Sequence, residues 1–203
     1  MDTTLSCLLD GITTLPRRHV ATIKFYLERD LTSGNAPPPL PAPLRLERLR
    51  GDQSGRYRSL FATLGTRWLW WSRLMFAPGS LAVLLDRPAT EAFAVCRGDR
   101  DIGLLELDLA ALPVADLAFL GLFDGETGKG AGRALMAWAL ARMAEAGARR
   151  ASVNTCTFDS PHALGFYRAS GFELVRQAVE IVPDPRLSGL LPATAAPHVP
   201  ILA

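Results

Sequence analysis

The chain has little of what metal, disulfide or nucleic-acid chemistry requires. Its 203 residues include only three cysteines and three histidines. Cys7, Cys96 and Cys156 are scattered, odd in number and without CxxC spacing, so idle or buried thiols in a reducing compartment are expected rather than a metal site or disulfides. His19, His162 and His198 have no ligand spacing, no Ser/His/Asp arrangement can be read, and no metal is expected. A net charge of +2 gives no electrostatic case for a nucleic acid or a membrane surface as main partner. Long apolar runs are missing as well. The greasiest segment, WLWWSRLMFAPGSLAVLL, is interrupted by Arg73, Pro78 and Gly79, which argues against a membrane span. Near the N-terminus Asp2 stands where a signal peptide would carry positive charge. A soluble cytoplasmic protein is the expectation.

What is present is an ordinary globular balance, with 49% apolar and 21% charged residues, long enough for one sizeable domain with additions. The block APPPLPAP (36–43) breaks helix and sheet and reads as a stiff connector. It separates an N-terminal extension (1–43), containing a candidate strand HVATIKFYLE (19–28), from a main domain (44–182) and a Pro-rich C-terminal tail (183–203) expected to lie over the surface. In the main domain LRLERL (44–49) alternates as a strand, and GRYRSLFATLG (55–65) has helical spacing with Gly65 placed to stop it. A short helix follows Pro78. AFAVCR (92–97) and DIGLLELDL (101–109) flank a Gly-Asp turn and form a hairpin. VADLAFLGLF (114–123) reads as a strand buried on both faces. A helix is expected from about Gly130 to Ala146, with Met136, Leu140 and Met143 on one face, a Glu145–Arg149 pair and Gly147 as stop. Then come a strand ASVNTC (151–156), a helix opened by Ser160 as N-cap with Pro161 at the first helical position, and a strand FELVRQAVEIV (172–182). This order predicts an α/β (α+β) fold: a mixed, mostly antiparallel central sheet with one β-α-β crossover and flanking helices.

The stretch GETGKGAGRALMAWAL (125–140) raises the functional question. Gly128, Gly130 and Gly132 sit between a buried strand and a long helix. Bare backbone there lets N–H groups approach an anion, and the helix behind adds partial positive charge. It is not a P-loop, since Phe123 occupies the first glycine position, nor a dinucleotide fingerprint, since Arg133 occupies the last. A loop with glycines only for turning is the plain alternative.

TGKGAGRAL (127–135), followed by SPHALGFYRASGFELV (160–175), resembles the GNAT superfamily of acyl-CoA-dependent N-acyltransferases. The first family signature, Arg/Gln-x-x-Gly-x-Gly/Ala, lands on Thr127, Gly130 and Gly132. The second, Asn-x-x-Ala-x-x-x-Tyr and then Gly-Phe, lands on Ser160, Ala163, Tyr167, Gly171 and Phe172. Thr127 and Ser160 depart from the pattern. The resemblance implies a GNAT-like fold over about 44–182 and acetyl-CoA as co-substrate. The main-chain donors of Gly128, Lys129, Gly130, Ala131, Gly132 and Arg133 would hold its pyrophosphate. Lys129 and Arg133 would supply the charge that Thr127 lacks, and the Ser160 hydroxyl would partly replace the Asn.

By the same resemblance, main-chain groups of Leu120, Gly121 and Leu122 would bond the pantetheine arm, with the Leu122 N–H at the thioester oxygen. Tyr167 would protonate the leaving sulfur; its alternative is ring packing alone. Asp116 stands where some relatives carry a general base, against a solvated acid at a strand end, and Glu106 is the reserve. The Trp68–Trp71 group is either an acceptor wall or core packing. The expected function is acetyl transfer from acetyl-CoA to a primary amine of a small molecule or protein. A non-catalytic CoA-binding module and a nucleotide-binding protein are the rivals. Residues 1–40 and 183–203 are open to covering a sheet edge or mediating a homodimer.

Overall fold

The computed structural model of the chain describes residues 10–32 and 36–203, so Cys7 and Asp2 lie outside the described residues. Among the described residues seven strands form one sheet: β1 His19–Asp30, β2 Leu44–Leu49, β3 Thr90–Arg97, β4 Arg100–Asp108, β5 Val114–Leu122, β6 Arg150–Cys156 and β7 Glu173–Pro183. Their spatial order is β2-β3-β4-β5-β6-β1-β7. Every neighbouring pair is antiparallel except β5 and β6, which run parallel. Among the described residues four α-helices flank the sheet: α1 Ser54–Trp68, α2 Pro78–Asp86, α3 Ala131–Glu145 and α4 Ala163–Ala169. The single crossover β5-α3-β6 produces the one parallel pair, because a helix must carry the chain back to the sheet's other end. The mixed, mostly antiparallel architecture read from the sequence is the one observed.

β1 comes from the segment read as an N-terminal extension and enters the sheet between β6 and β7. Its alternation of Val20, Thr22 and Leu27 as buried positions is too irregular for the sequence to show that both its edges are paired.

Two cores form, one on each face of the sheet. Leu105, Leu107, Ala115, Leu117, Ala151 and Val153 pack under α3 and α4. Ala92, Ala94 and Leu104, on the opposite parity, pack under α1 and α2 with Tyr57, Leu60, Phe61 and Leu64, since successive strand residues point to opposite faces.

α1 does not stop at Gly65 but continues to Trp68 and ends on Leu69, which is left-handed at φ 53°. Gly65 is a glycine for another reason: a Cβ there would run into the carbonyl oxygen of Trp70. The chain folds back over the helix and sends Trp70 towards the sheet. α4 likewise opens at Ala163 rather than directly after Ser160; residues 160–162 form a turn in which the Ala163 N–H bonds the Ser160 carbonyl at 2.9 Å. Glu145 pairs with Arg142 at 2.9 Å, three residues back, instead of Arg149. Gly147 does stop the helix, at φ 96°.

The tail is also corrected. Asp184, Arg186, Leu191, Ala195 and Ala196 are buried, in a third cluster with Val20, Leu69 and Phe158. Among the described residues no helix is long and apolar enough to cross a membrane.

Candidate active site

β5 and β6 pair only from Val114 to Leu117 and from Arg150 to Val153, then diverge into a fork. The cause lies in β5, where Ala118 is an extra residue: Leu107 faces Leu117 while Glu106 faces Phe119. Such a bulge bends its strand. The expectation that β5 is buried on both faces therefore fails beyond Leu117; residues 118–122 are half-buried because their outer edge borders the fork.

The ladder between β4 and β5 decides which main-chain groups that edge offers. The Phe123 N–H bonds Ile102 C=O at 2.8 Å, and antiparallel ladders alternate. Phe123, Gly121 and Phe119 thus spend their main-chain groups on β4. Leu120 and Leu122 present theirs to the fork. Gly121 contributes by what it lacks: a Cβ would stand 3.0 Å from Leu64 and from the ring edge of Trp70.

Both prongs end at the same edge of the sheet, and the chain there is bare. Gly128 and Gly130 are left-handed, at φ 76° and 86°, and a Cβ on either would meet nothing within 4 Å. Gly130 is the N-cap of α3 and has no side chain with which to cap it. Ala131, Gly132 and Arg133 open the helix, so their N–H groups lack an acceptor one turn earlier. No hydrogen bond among the described residues takes up the amides of Gly128 or Gly130. Thr127, Lys129 and Arg133 are exposed around this turn. Ser160 lies in the turn after β6 at the same edge, its hydroxyl accepting from the His162 N–H at a long 3.4 Å. The N-terminus of α3 meets α4 where a Cβ on Gly132 would touch the Phe166 ring at 3.7 Å.

The fork's two faces carry different chemistry. On the α3/α4 face Tyr167 is buried between the rings of Phe166 and Phe172, 5.6 and 6.1 Å away. Burial first, and then the charges of Asp159 and Asp116, push its phenol well above the ordinary tyrosine range. It stays protonated, so its hydroxyl hydrogen is available to donate. On the α1 face Asp116 lies one rung before the fork opens, and the Ser152 hydroxyl donates to it across the strands at 2.6 Å. Burial raises its carboxyl above the usual range against that bond, with Asp108 and Glu106 adding to the rise. Glu106 is committed elsewhere: the Tyr57 hydroxyl bonds one oxygen and Arg73 the other at 2.6 Å, in a fully buried position. Arg73 also lies over Phe119, 5.1 Å from its centroid.

Trp70 ties the prongs together. Its ring packs on Phe119 of β5 at 5.3 Å, and its N–H donates to Asp159 at 2.8 Å. Asp159 in turn accepts from the Thr155 hydroxyl at 2.7 Å and the Cys156 N–H at 2.9 Å, at the tip of β6. Trp70 therefore roofs the fork on the α1 face. Trp71 packs instead in the cluster beneath the tail, and Trp68 faces His198. Of the sequence candidates, Leu120 and Leu122 border the fork, the glycine turn and Ser160 follow its two prongs in the chain, Tyr167 lies in the core on the α3/α4 face, Asp116 sits at the fork's base, and Gly121 shapes it without a free main-chain group. Sequence reading missed Ser152 and Asp159. Nothing local marks Ser152, whose partner is 36 residues away, and although Asp159 bonds Thr155 and Cys156 nearby, its link to Trp70 spans 89 residues.

Residues 57–172 match the family model described as the acetyltransferase (GNAT) family, more than half of the chain. A GCN5-related N-acetyltransferase from Kribbella flavida superposes with a TM-score of 0.55 at 16% identity, over 84% of this chain and 62% of that one. One from Sphaerobacter thermophilus gives 0.55 at 12%, over 80% and 51%. The chain thus spans less than two thirds of either protein's length. An aminoglycoside acetyltransferase from an uncultured soil metagenomic sample, in complex with sisomicin, gives 0.53 at 19%, over 63% and 86%. Among curated proteins none matches. At these identities the structural likeness is one of fold, and the family match, which reaches from α1 through the glycine turn to the end of α4, carries the assignment: the chain belongs to the GNAT family of acetyltransferases.

Proposed function

We propose that the protein is an N-acetyltransferase that moves acetyl from acetyl-CoA to a primary amine by direct attack within a ternary complex. The observation that carries this is the fork whose open edge, at Leu120 and Leu122, leads to an uncapped glycine turn. A long ligand with an anionic group needs both. Gly128, Lys129, Gly130, Ala131, Gly132 and Arg133 hold the pyrophosphate through main-chain donors and the α3 dipole. Lys129 and Arg133 add charge where Thr127 has none, and the Ser160 hydroxyl is a further contact. Acetyl-CoA supplies an activated carbonyl and a thiolate leaving group.

The chain's own groups divide the remaining work. The free Leu122 N–H is the donor assigned to the developing oxyanion. Asp116 accepts the amine's proton on the α1 face, where its raised affinity for protons makes it a stronger base than an exposed carboxylate. Tyr167 donates a hydrogen bond to the sulfur on the other face. A primary amine also suits the neighbourhood of Asp108 and Asp116, since the nearby cation Arg73 is already paired with the buried Glu106.

Release of free thiol from acetyl-CoA with a panel of amines, including an aminoglycoside, tests the reading. Stabilisation by CoA but not by ATP is expected in parallel, because only a true ligand raises stability by mass action. A non-catalytic CoA-binding chain is the second reading, and the weakened acidity of the buried Tyr167 favours it. CoA binding with no amine-dependent thiol release, and no effect of Tyr167→Phe, decides for it.

A further inference from the structure

β7 is an edge strand whose bulge and proline lie towards its two ends and leave Arg176 to Val182 open to pairing. It runs eleven residues at the end of the sheet order. Its one irregularity faces the Tyr26/Leu27 step, and from Arg176 to Pro183 the register with β1 is unbroken. No lysine lies in it, and its proline comes last. Natural edges are blunted by such devices, because unpaired main-chain groups template another strand. The side chains are unprotected too: Val175 is 53% exposed, Val179 56% and, beside it on β1, Ile23 43%.

The ladder phase shows which groups are free. The Asp184 N–H bonds Arg18 C=O at 2.8 Å, so Val182, Glu180, Ala178 and Arg176 turn their main chain towards β1. Ile23 agrees, since it spends its own groups on Thr157 at 3.1 and 3.2 Å. Gln177, Val179 and Ile181 therefore direct N–H and C=O outward.

We propose that β7 pairs with β7 of a second copy, antiparallel about a two-fold axis at Ala178. An isologous contact brings residue i against residue 356 − i in that register. Gln177 then meets Val179 through outward-facing main chain on both copies, and Val175, the bulge residue of β7, falls opposite Ile181. Arg176 meets Glu180, twice by symmetry. On one face the seam brings Val179, Ile181 and Ile23 of both copies together beside Gln177. On the other, Glu180 keeps Lys24, 3.3 Å away, and gains an arginine. Neighbouring registers lack this match: an axis at Arg176 sets two arginines together, one at Gln177 sets Glu180 against Leu174, and one at Val179 sets Pro183 against Val175. The occupant that fits this edge is a second copy of the chain.

Sedimentation velocity of the full chain over a concentration series tests the proposal independently of any activity. The expected species has twice the 22.0 kDa chain mass. Arg176→Glu and Glu180→Arg each place like charges opposite one another twice, and each weakens the dimer about tenfold or more. The double variant Arg176→Glu/Glu180→Arg restores it. Val179→Pro removes an outward N–H and no bond to β1, as edge strands tolerate, and gives a monomer with wild-type circular dichroism. A monomeric wild type at every concentration overturns the proposal, whether or not some other strand takes the edge. So does a dimer that survives Val179→Pro, or a double variant that stays as weak as the single ones.

Discussion

Two irregular segments, one rich in proline and the other in glycine, treat their polar groups in opposite ways. In the tail, 184–203, polar groups are satisfied: the Arg186 side chain grips Asp184 at 2.7 Å and donates to the carbonyls of Ala195, Ala196 and Val199. In the turn 127–133, on the other side of the fork, main-chain donors are left open and a Cβ at Gly128 or Gly130 would meet nothing. The tail is a plug whose bonds are internal. The turn is stable without its bonds only because water can reach it, and a ligand can take that water's place. What separates the two segments is whether polar main-chain groups are spent within the protein or left open to solvent.

The sharpest way to break the comparison is Arg186→Met. It leaves Asp184 buried and unpaired and should cost about 3–5 kcal/mol, seen as a lower midpoint in urea or heat. A loss under about 1 kcal/mol, the worth of an exposed pair, would show the tail to be as loose as the turn. Next is Asp116→Asn, expected to lower the rate of acetyl transfer about 100-fold. The two acids also differ in the sign of their pH dependence. Burial pushes Asp184 up, but the bonds from Arg186 outweigh it and hold the carboxyl below its ordinary 3.8. Its contribution to stability is thus present at neutral pH and lost as pH falls through that folded value. Asp116, raised above 3.8 chiefly by burial, does the reverse. It favours the fold below that value and loses this as pH rises through its folded pKa. Asp116→Asn should therefore be more stable than the parent at pH 7, with the difference gone below about pH 4. Denaturation midpoints across pH 3–8 test both signs.

Smaller effects sharpen the picture of the turn. Gly130→Val puts a branched side chain at positive φ and into the open space, and should weaken CoA binding about 10- to 100-fold. An unchanged CoA affinity by calorimetry would remove the turn from the site. Trp70→Phe keeps a ring beside Phe119 but loses the bond to Asp159, for about 1 kcal/mol of stability. Lys129→Ala should cost only a few-fold in CoA affinity, and less at high salt, because its charge is exposed.

Legibility followed the range of the interactions involved. The helical spacing of Tyr57, Leu60, Phe61 and Leu64, the hairpin around Gly98 and the glycines before α3 are local signals, and the structure carries each. Gly65 misled, because its reason is a chain that folds back five residues later rather than a helix end. The Ser160–Pro161 cap was misplaced by two residues because the turn's own carbonyl takes the first bond. Glu145 chose Arg142 over Arg149, because Arg142 already reaches across to Glu91 at 2.5 Å and so holds its guanidinium within range.

Alone, the sequence determined the succession of strands and helices, the bare turn before α3 and the two motifs that mark the family, since each is a pattern within a few residues of chain. Only the tertiary structure decided that β5 parts from β6 after Leu117, that β1 lies beside β7, and that Trp70, Asp159 and Ser152 close the fork around Asp116. Those outcomes depend on ladder phase and on contacts between distant segments, and neither is written in any one stretch of sequence.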